Sequence, residues 1–256
     1  EGHKLHDRAV PLLGGAAMFV GWLATALAGA AFVLGSERIP PEFSAGFRKE
    51  GVAFVAICVC ALASVLLGAA DDRRPMGPGR KLLGQLAIAL AATIFGGIRI
   101  TLFVDSAWFS IPVTTFWFLF LFNALNFFDN MDGLAAGTAA IAFAFFGVMA
   151  HANGQFFVAA LCACSCGAAS GFWIFNRAPA KIFMGDSGSH LIGFLLAAVS
   201  AKTICYNPAM SATKISVLIP LFILAVPIFD TLAVVAIRLW ERRPIYRGDH
   251  NHISHR

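Results

Sequence analysis

Eight largely apolar stretches alternate with short polar segments along this chain, at 11–34, 51–70, 82–98, 112–128, 133–150, 156–175, 188–206 and 214–238. All are close to the roughly 20 residues that an α-helix needs to cross a hydrocarbon core about 30 Å thick. Gly, Ala and Ser recur within them, in GTAA, GAASG and LLGQLAIALAA, as expected where helices pack closely in lipid. The pattern predicts an all-α fold, a polytopic transmembrane helical bundle with eight spanning segments. Residues 1–256 read as one integral membrane domain, without a soluble domain or an internal repeat.

Composition narrows this further. The 256 residues are 59% hydrophobic and 13% charged, against roughly 25% charged in ordinary soluble domains. A soluble globular protein, a disordered chain and a disulfide scaffold are excluded. Of six cysteines, Cys58, Cys60, Cys162, Cys164 and Cys166 fall inside apolar stretches as small hydrophobes, with Cys205 near a segment end. Neither a redox nor a metal role follows from them, because i, i+2 positions diverge on a helix. The chain opens at Glu1 in EGHKLHD, with no initiating Met and no signal-type leader. It stops at Arg256 in a His-rich run, so a further spanning segment could lie beyond either end.

Charge gives the sidedness. With alternating segments, the polar regions 1–10, 71–81, 126–132, 176–187 and 239–256 share one side. Thirteen of the 19 Lys and Arg residues belong there, all but Arg38, Arg48, Lys49, Arg99, Lys202 and Lys214. By the positive-inside rule that side is cytoplasmic. Asp71, Asp72, Asp129, Asp132 and Asp186 lie at the same helix ends. A carboxylate at mid-bilayer costs about 2.5–3.5 kcal/mol on insertion scales, which favours this interfacial placement.

Four constellations carry chemistry, each beside a plainer reading. DDRRPMGPGRKLLGQ, from Asp71 to Gln85, mixes both signs of charge in a tight loop. It could be a solvated loop, although acids do not help topology. NFFDNMDGLAAG, from Asn126 to Gly137, spaces Asn126, Asp129 and Asp132 at i, i+3, i+6, which on a helix end clusters hard oxygen donors. Capping explains one such residue but not three. NRAPAKIFMGDSGSHLIGF, from Asn176 to Phe194, sets Asp186 at a helix start, as a plain cap or as a magnesium ligand. His190, a turn further, reads as packing. RRPIYRGDHNHISHR, from Arg242 to Arg256, is an anion clamp, a solvated tail or, less well spaced, a zinc site. Asp230, deeper in the last segment, reads as structural, paired with Arg238 or a neighbouring helix. Together these segments supply carboxylates and amides for Mg²⁺ and basic groups for phosphate, the equipment of phosphoryl transfer.

The chain resembles the polyprenyl-phosphate N-acetylhexosamine-1-phosphate transferases, the glycosyltransferase family of the bacterial WecA and MraY enzymes. HKLHDRAVPLLGG at 3–15 is similar to the family's first cytoplasmic loop, and the DD, NxxDxxDG, FxGDxGS and histidine loops follow in order. The resemblance covers nearly the whole chain. Members have about ten or eleven spanning helices, so it implies that the first and the last one or two are absent here.

It also implies a Mg-dependent enzyme of the bacterial plasma membrane, with Mn²⁺ able to substitute. That enzyme transfers an N-acetylhexosamine 1-phosphate from a UDP-sugar to undecaprenyl phosphate, releasing UMP and initiating cell-envelope polysaccharide synthesis. Asn126 and Asp186 match the metal positions. Asp71, Asp72, Asp129, Asp132, His252 and His255 match catalytic positions. Lys81, Gly133, Asn176, Phe183 and Arg247 match substrate-binding positions, with Phe183 stacking on uracil, Asn176 and Asp132 selecting it, and Arg247, His252 and His255 facing the diphosphate. A homodimer in the bilayer is compatible with this, and no nucleic acid partner is expected.

The tail reads DHNHISHR where GlcNAc-type relatives read DRNHLHHR, and the contiguous histidine triplet of the MurNAc-pentapeptide branch is missing. The resemblance is therefore closer to the GlcNAc-1-phosphate branch, with phospho-MurNAc-pentapeptide transfer as the alternative. An ion or solute transporter would place its acids at mid-membrane, where only Asp230 could lie. A CDP-alcohol phosphotransferase would need DGxxAR, which DGLAAG is not.

Overall fold

The computed structural model describes residues 11–101, 104, 106–203 and 217–241. All regular structure among them is helical: α1 (Gly14–Gly35), α2 (Pro41–Lys49), α3 (Gly51–Arg73), α4 (Pro78–Ile94), α5 (Ala107–Phe128), α6 (Leu134–Ala152), α7 (Phe156–Asn176), α8 (Gly185–Lys202), α9 (Ile219–Ile223) and α10 (Ala225–Trp240). Each expected apolar segment is helical over most of its described residues. Among the described residues five helices, α1, α3, α5, α6 and α7, are long and apolar enough to cross a membrane. The chain is a multi-pass membrane protein on this ground. Of the expected eight spans, these five are supported by length and composition among the described residues; α4 and α10 have 17 and 16 residues, and α8 opens on the polar run Gly185–His190.

Two departures have local causes. The segment 35–50, expected as a loop, contains α2, which opens with Pro41 in its first turn, where the missing N–H leaves no bond unmade. Its Phe43 stacks on Phe156 with centroids 4.0 Å apart, pinning α2 against the start of α7. The last apolar segment, expected as one helix, is broken at Leu224 between α9 and α10. Pro227 cannot donate to the carbonyl of Ile223, and its ring crowds that carbonyl. The helix therefore restarts at Ala225, which leaves Pro227 in the first turn, where no intrahelical donor is needed.

At the centre stands α8, buried at every position from Ser187 to Ser200, as suits a helix that from Leu191 to Val199 is apolar around its whole circumference. It packs against α1, α3, α5, α6 and α7. The approach of α3 is close enough that a Cβ on Gly68 would collide with the backbone of Asp186 and Ser187. Only glycine lets the end of α3 reach the start of α8 this closely. The five described cysteines are free, in line with their role as small hydrophobes.

The chain runs back and forth between two ends of the bundle. At one end meet the starts of α1, α4, α6 and α8 and the ends of α3, α5 and α7. The N–H groups of Gly14 and Gly15 donate to the carbonyls of Phe183 and Met184 at 3.1 and 3.2 Å, and the Phe183 N–H donates to Pro11 at 3.0 Å. At the opposite end Lys202 of α8 pairs with Glu50 at 2.7 Å, and Gln155 donates to the Lys202 carbonyl at 2.8 Å.

Candidate active site

Four helices deliver one polar side chain each to a common point. Asp71 comes from the last turn of α3, Lys81 from the first turn of α4, Asn126 from the last turn of α5 and Asp186 from the first turn of α8. The Lys81 ammonium lies 2.9 Å from Asp71 Oδ2 and also contacts Asp186 Oδ2. Asn126 Nδ2 donates to Asp186 Oδ1 at 2.8 Å and to Ser189 Oγ at 3.1 Å. Asp71 Oδ1 accepts the N–H of Met76, which folds the DDRRPMGP loop back over its own helix end.

The electrostatics follow from this crowding. Burial and the adjacent Asp71 carboxylate raise the Asp186 carboxyl above its ordinary pKa, against the pull of Lys81 and Asn126. Burial alone would lower the Lys81 ammonium, but Asp186 and Asp71 outweigh it and hold it above its ordinary value. A lysine neutralising two convergent carboxylates marks a place where positive charge is wanted.

Asp72 faces the other way. Its Oδ1 accepts the N–H of Asp186 at 2.7 Å and its Oδ2 that of Ser187 at 3.1 Å. The anion at the N-terminus of α8 is thus an internal carboxylate, well placed against the positive end of the helix dipole. Asp186 is not the cap of α8 but a residue of its first turn, capped from α3. Gly185, at φ 65°, sits against this carboxylate, with a Cβ there falling 2.8 Å from Asp72 Oδ2.

The NxxDxxDG segment does not present its three polar residues on one helix face. The helix α5 ends at Phe128, with Asp129 as its cap residue, and the chain turns before α6. Asn126 therefore joins Asp186, whereas Asp132 Oδ2 accepts the N–H of Ala180 at 2.9 Å. Gly133, at φ 77°, donates its N–H to Asn176 Oδ1 at 3.0 Å, and Asn176 Nδ2 donates to the carbonyl of Ile182 at 2.9 Å. Asn176 is fully buried, so in this geometry its amide ties two loops together at both ends. Phe183 is half-buried and joins the start of α1 through its backbone. Asp230 and Arg238 are both buried on α10, and the Arg238 guanidinium lies 5.6 Å from the ring of Phe127. Arg247, His252 and His255 lie outside the described residues.

Three polar residues that the sequence did not single out as functional sit one turn below the cluster: Gln85, Asn123 and His190. An apolar groove of about 810 Å³ between α1 and α7, lined by Met18, Gly21, Gly167 and Phe172 among others, shares no side chain with the cluster.

A family model described as glycosyl transferase family 4 matches residues 54–204. The chain belongs to this family. The match spans Asp71, Lys81, Asn126 and Asp186, the whole of the cluster. Among glycosyl transferase family 4 relatives, the chain is 33% identical over 261 residues to the probable undecaprenyl-phosphate N-acetylglucosaminyl 1-phosphate transferase of Bacillus subtilis (strain 168), covering 99% of this chain and 67% of that protein. It is also 33% identical over 220 residues to the phospho-N-acetylmuramoyl-pentapeptide-transferases of Bacillus mycoides (strain KBAB4) and Bacillus thuringiensis (strain Al Hakam), covering 78% of this chain and 64% of each relative. The chain thus spans about two thirds of the length of these relatives. The resemblance read from the loop motifs agrees with this membership.

Proposed function

We propose that the protein transfers an N-acetylhexosamine 1-phosphate, GlcNAc-1-phosphate first among them, from a UDP-sugar to undecaprenyl phosphate at the cytoplasmic face of a bacterial plasma membrane. The observation that carries this is the convergence of Asp71, Lys81, Asn126 and Asp186 at one end of an apolar bundle, in a family 4 chain matched over 99% of its length by a relative of that name. A membrane-surface site suits a reaction between a soluble nucleotide sugar and a lipid.

The acceptor is a phosphate monoester whose second pKa near 6 leaves it mostly dianionic at pH 7. One of its oxygens attacks the β-phosphorus of the UDP-sugar, a P–O bond forms there, and the bond to the α-phosphate oxygen breaks to release UMP. No strong base is needed. Catalysis then rests on holding the two anionic partners together and neutralising their charge. Lys81 supplies a positive charge at the cluster, and Asp71 orients the Lys81 ammonium.

The donor set also fits Mg²⁺, which is typically held by one or two carboxylates with substrate phosphates completing its shell. Among the described residues no three His, Cys, Asp or Glu side chains converge as a self-sufficient metal site, while two carboxylates and an amide do meet. Asp186 and Asn126, with Asp71 beside them, would hold the ion, which would neutralise the diphosphate and the departing UMP. A covalent phosphosugar on an Asp is a second route to the same products.

The test uses the full-length protein in detergent with labelled UDP-GlcNAc, undecaprenyl phosphate and Mg²⁺, and reads labelled lipid and UMP. UDP-GalNAc and UDP-MurNAc-pentapeptide in parallel identify the sugar, the last because two of the relatives are phospho-N-acetylmuramoyl-pentapeptide-transferases. Asp186→Asn is expected to lose at least about 100-fold in turnover. Absence of lipid product with every donor overturns the transferase reading, and wild-type turnover by Asp186→Asn at saturating Mg²⁺ overturns the metal assignment.

A further inference from the structure

One helical turn beneath the cluster lies a second polar layer, in the body of the bundle. It consists of Gln85, four residues after Lys81 on α4, Asn123, three before Asn126 on α5, and His190, four after Asp186 on α8. Residues at these spacings stack on one face of a helix. Each member therefore lies beneath a cluster residue of its own helix. Gln85 and His190 are completely buried.

The hydrogen bonds run in one direction. Asn123 Nδ2 donates to the carbonyl of Leu119 at 2.7 Å and to Gln85 Oε1 at 3.0 Å. With its oxygen so engaged, Gln85 presents Nε2 to His190 Nε2 at 3.0 Å, and His190 Nδ1 lies 2.7 Å from the carbonyl of Asp186. Carbonyl oxygens only accept, so the two backbone ends fix the polarity of the chain between them. Gln85 must donate, His190 Nε2 must accept, and the imidazole carries its proton on Nδ1. One tautomer, the neutral Nδ1–H form, satisfies each of these hydrogen bonds.

We propose that Gln85, Asn123 and His190 are positioning residues that set the register of α4, α5 and α8, so that Lys81, Asn126 and Asp186 meet. The inference rests on the transferase reading for its assay. The physical ground is the low-dielectric surroundings, where an unanswered amide or imidazole is costly. A slip of one residue moves a side chain by about 1.5 Å and turns it by about 100°, which breaks a bond of 3.0 Å. Apolar packing of Ala, Leu and Phe tolerates such slips far better than a directional chain does.

The test compares two amides at one position in the full-length protein. His190→Gln places an acceptor oxygen near the position of Nε2 and preserves the link to Gln85. His190→Asn is too short to reach Gln85 and leaves its amide hydrogen unanswered. His190→Asn is expected to lose roughly tenfold or more in kcat and to need correspondingly more Mg²⁺ for half-activation, the range typical of outer-layer partners. KM for the UDP-sugar is expected to stay within about threefold, and His190→Gln within about threefold of wild type throughout. Melting in detergent confirms that both variants are folded at the assay temperature.

Equal kcat and Mg²⁺ requirement in the two variants overturn the proposal. A second measurement needs no variant: ¹⁵N NMR of the His190 imidazole in the unmutated protein is expected to show the proton on Nδ1, and a proton on Nε2 overturns the chain as drawn. If the wild type makes no lipid product, the transferase reading falls while the NMR measurement still decides the layer.

Discussion

Lys81 contacts both Asp71 and Asp186, so removing its ammonium leaves two neighbouring carboxylates without their shared cation, which disfavours the ionised form of one of them. Lys81→Met is expected to reduce turnover by about 100-fold, the usual cost of deleting one group that neutralises developing charge, as read by lipid product per folded protein. Asp72 is separable from this. Its carboxylate accepts two N–H groups at the start of α8, so Asp72→Ala is expected to cost about 1–2 kcal/mol of stability, measured by unfolding in detergent. Asp72→Asn retains an acceptor and is expected to cost less. Equal stability of all three proteins would remove the capping role. At this scale the sequence brought Asp71, Lys81, Asn126 and Asp186 to one end of the bundle, because a Lys, Asn or Asp at the edge of an apolar segment has few places to go. It also set Asp129 and Asp132 on one face with Asn126, where the chain instead turns away. It did not show how neighbours divide their tasks. Asp71 and Asp72 are adjacent, yet they differ by about 100° around α3, which sends one to Lys81 and the other to the backbone of α8. Gln85 and Asn123 did carry a signal, as amides three or four residues from a site residue on an apolar helix.

The contact between α3 and α8 is where a single methyl group should be felt by a whole element. A Cβ on Gly68 would meet the backbone of Asp186 and Ser187, which cannot rotate aside as a flexible side chain would. Gly68→Ala is therefore expected to cost about 1–3 kcal/mol and to lower turnover, because α3 would shift with Asp71 aboard. Gly29→Ala is the control: nothing lies within 4 Å of a Cβ there, and helix propensity favours Ala by up to about 1 kcal/mol. Comparable losses in both variants would mean that the glycine contact does not hold the site together. The expected apolar segments were legible as helical elements because helices of a membrane bundle, whether they face lipid or one another, are apolar along most of their length. Their ends were less so. The short α2 escaped notice since nine residues hold too few turns to show a period, and the break at Leu224 was hidden because Ile, Leu, Ala and Val continue through it while only Pro220 and Pro227 mark it.

The two ends of the molecule differ in chemistry, and that difference carries the argument for sidedness. One end gathers Asp71, Asp72, Lys81 and Asp186 with the exposed Arg73, Arg74 and Arg80 beside them. The other holds the Glu50–Lys202 pair and an aromatic cluster of Phe43, Phe47, Phe54, Phe156 and Phe157. On the proposed reading the first end is the cytoplasmic one, which the positive-inside rule favours because the described Arg73, Arg74, Arg80, Lys81, Arg177 and Lys181 gather there. Glu37 and Arg74 are exposed at opposite ends, so cysteines introduced by Glu37→Cys and Arg74→Cys report the orientation directly. In intact cells a membrane-impermeant maleimide is expected to label Glu37→Cys and to reach Arg74→Cys only after the membrane is opened. The wild type, whose five described cysteines all lie within α3 and α7, supplies the background. Labelling of Arg74→Cys alone in intact cells would turn the bundle over and place the Asp186 cluster outside, away from its nucleotide donor. The proposed transfer would then fail on topology even with its chemistry intact.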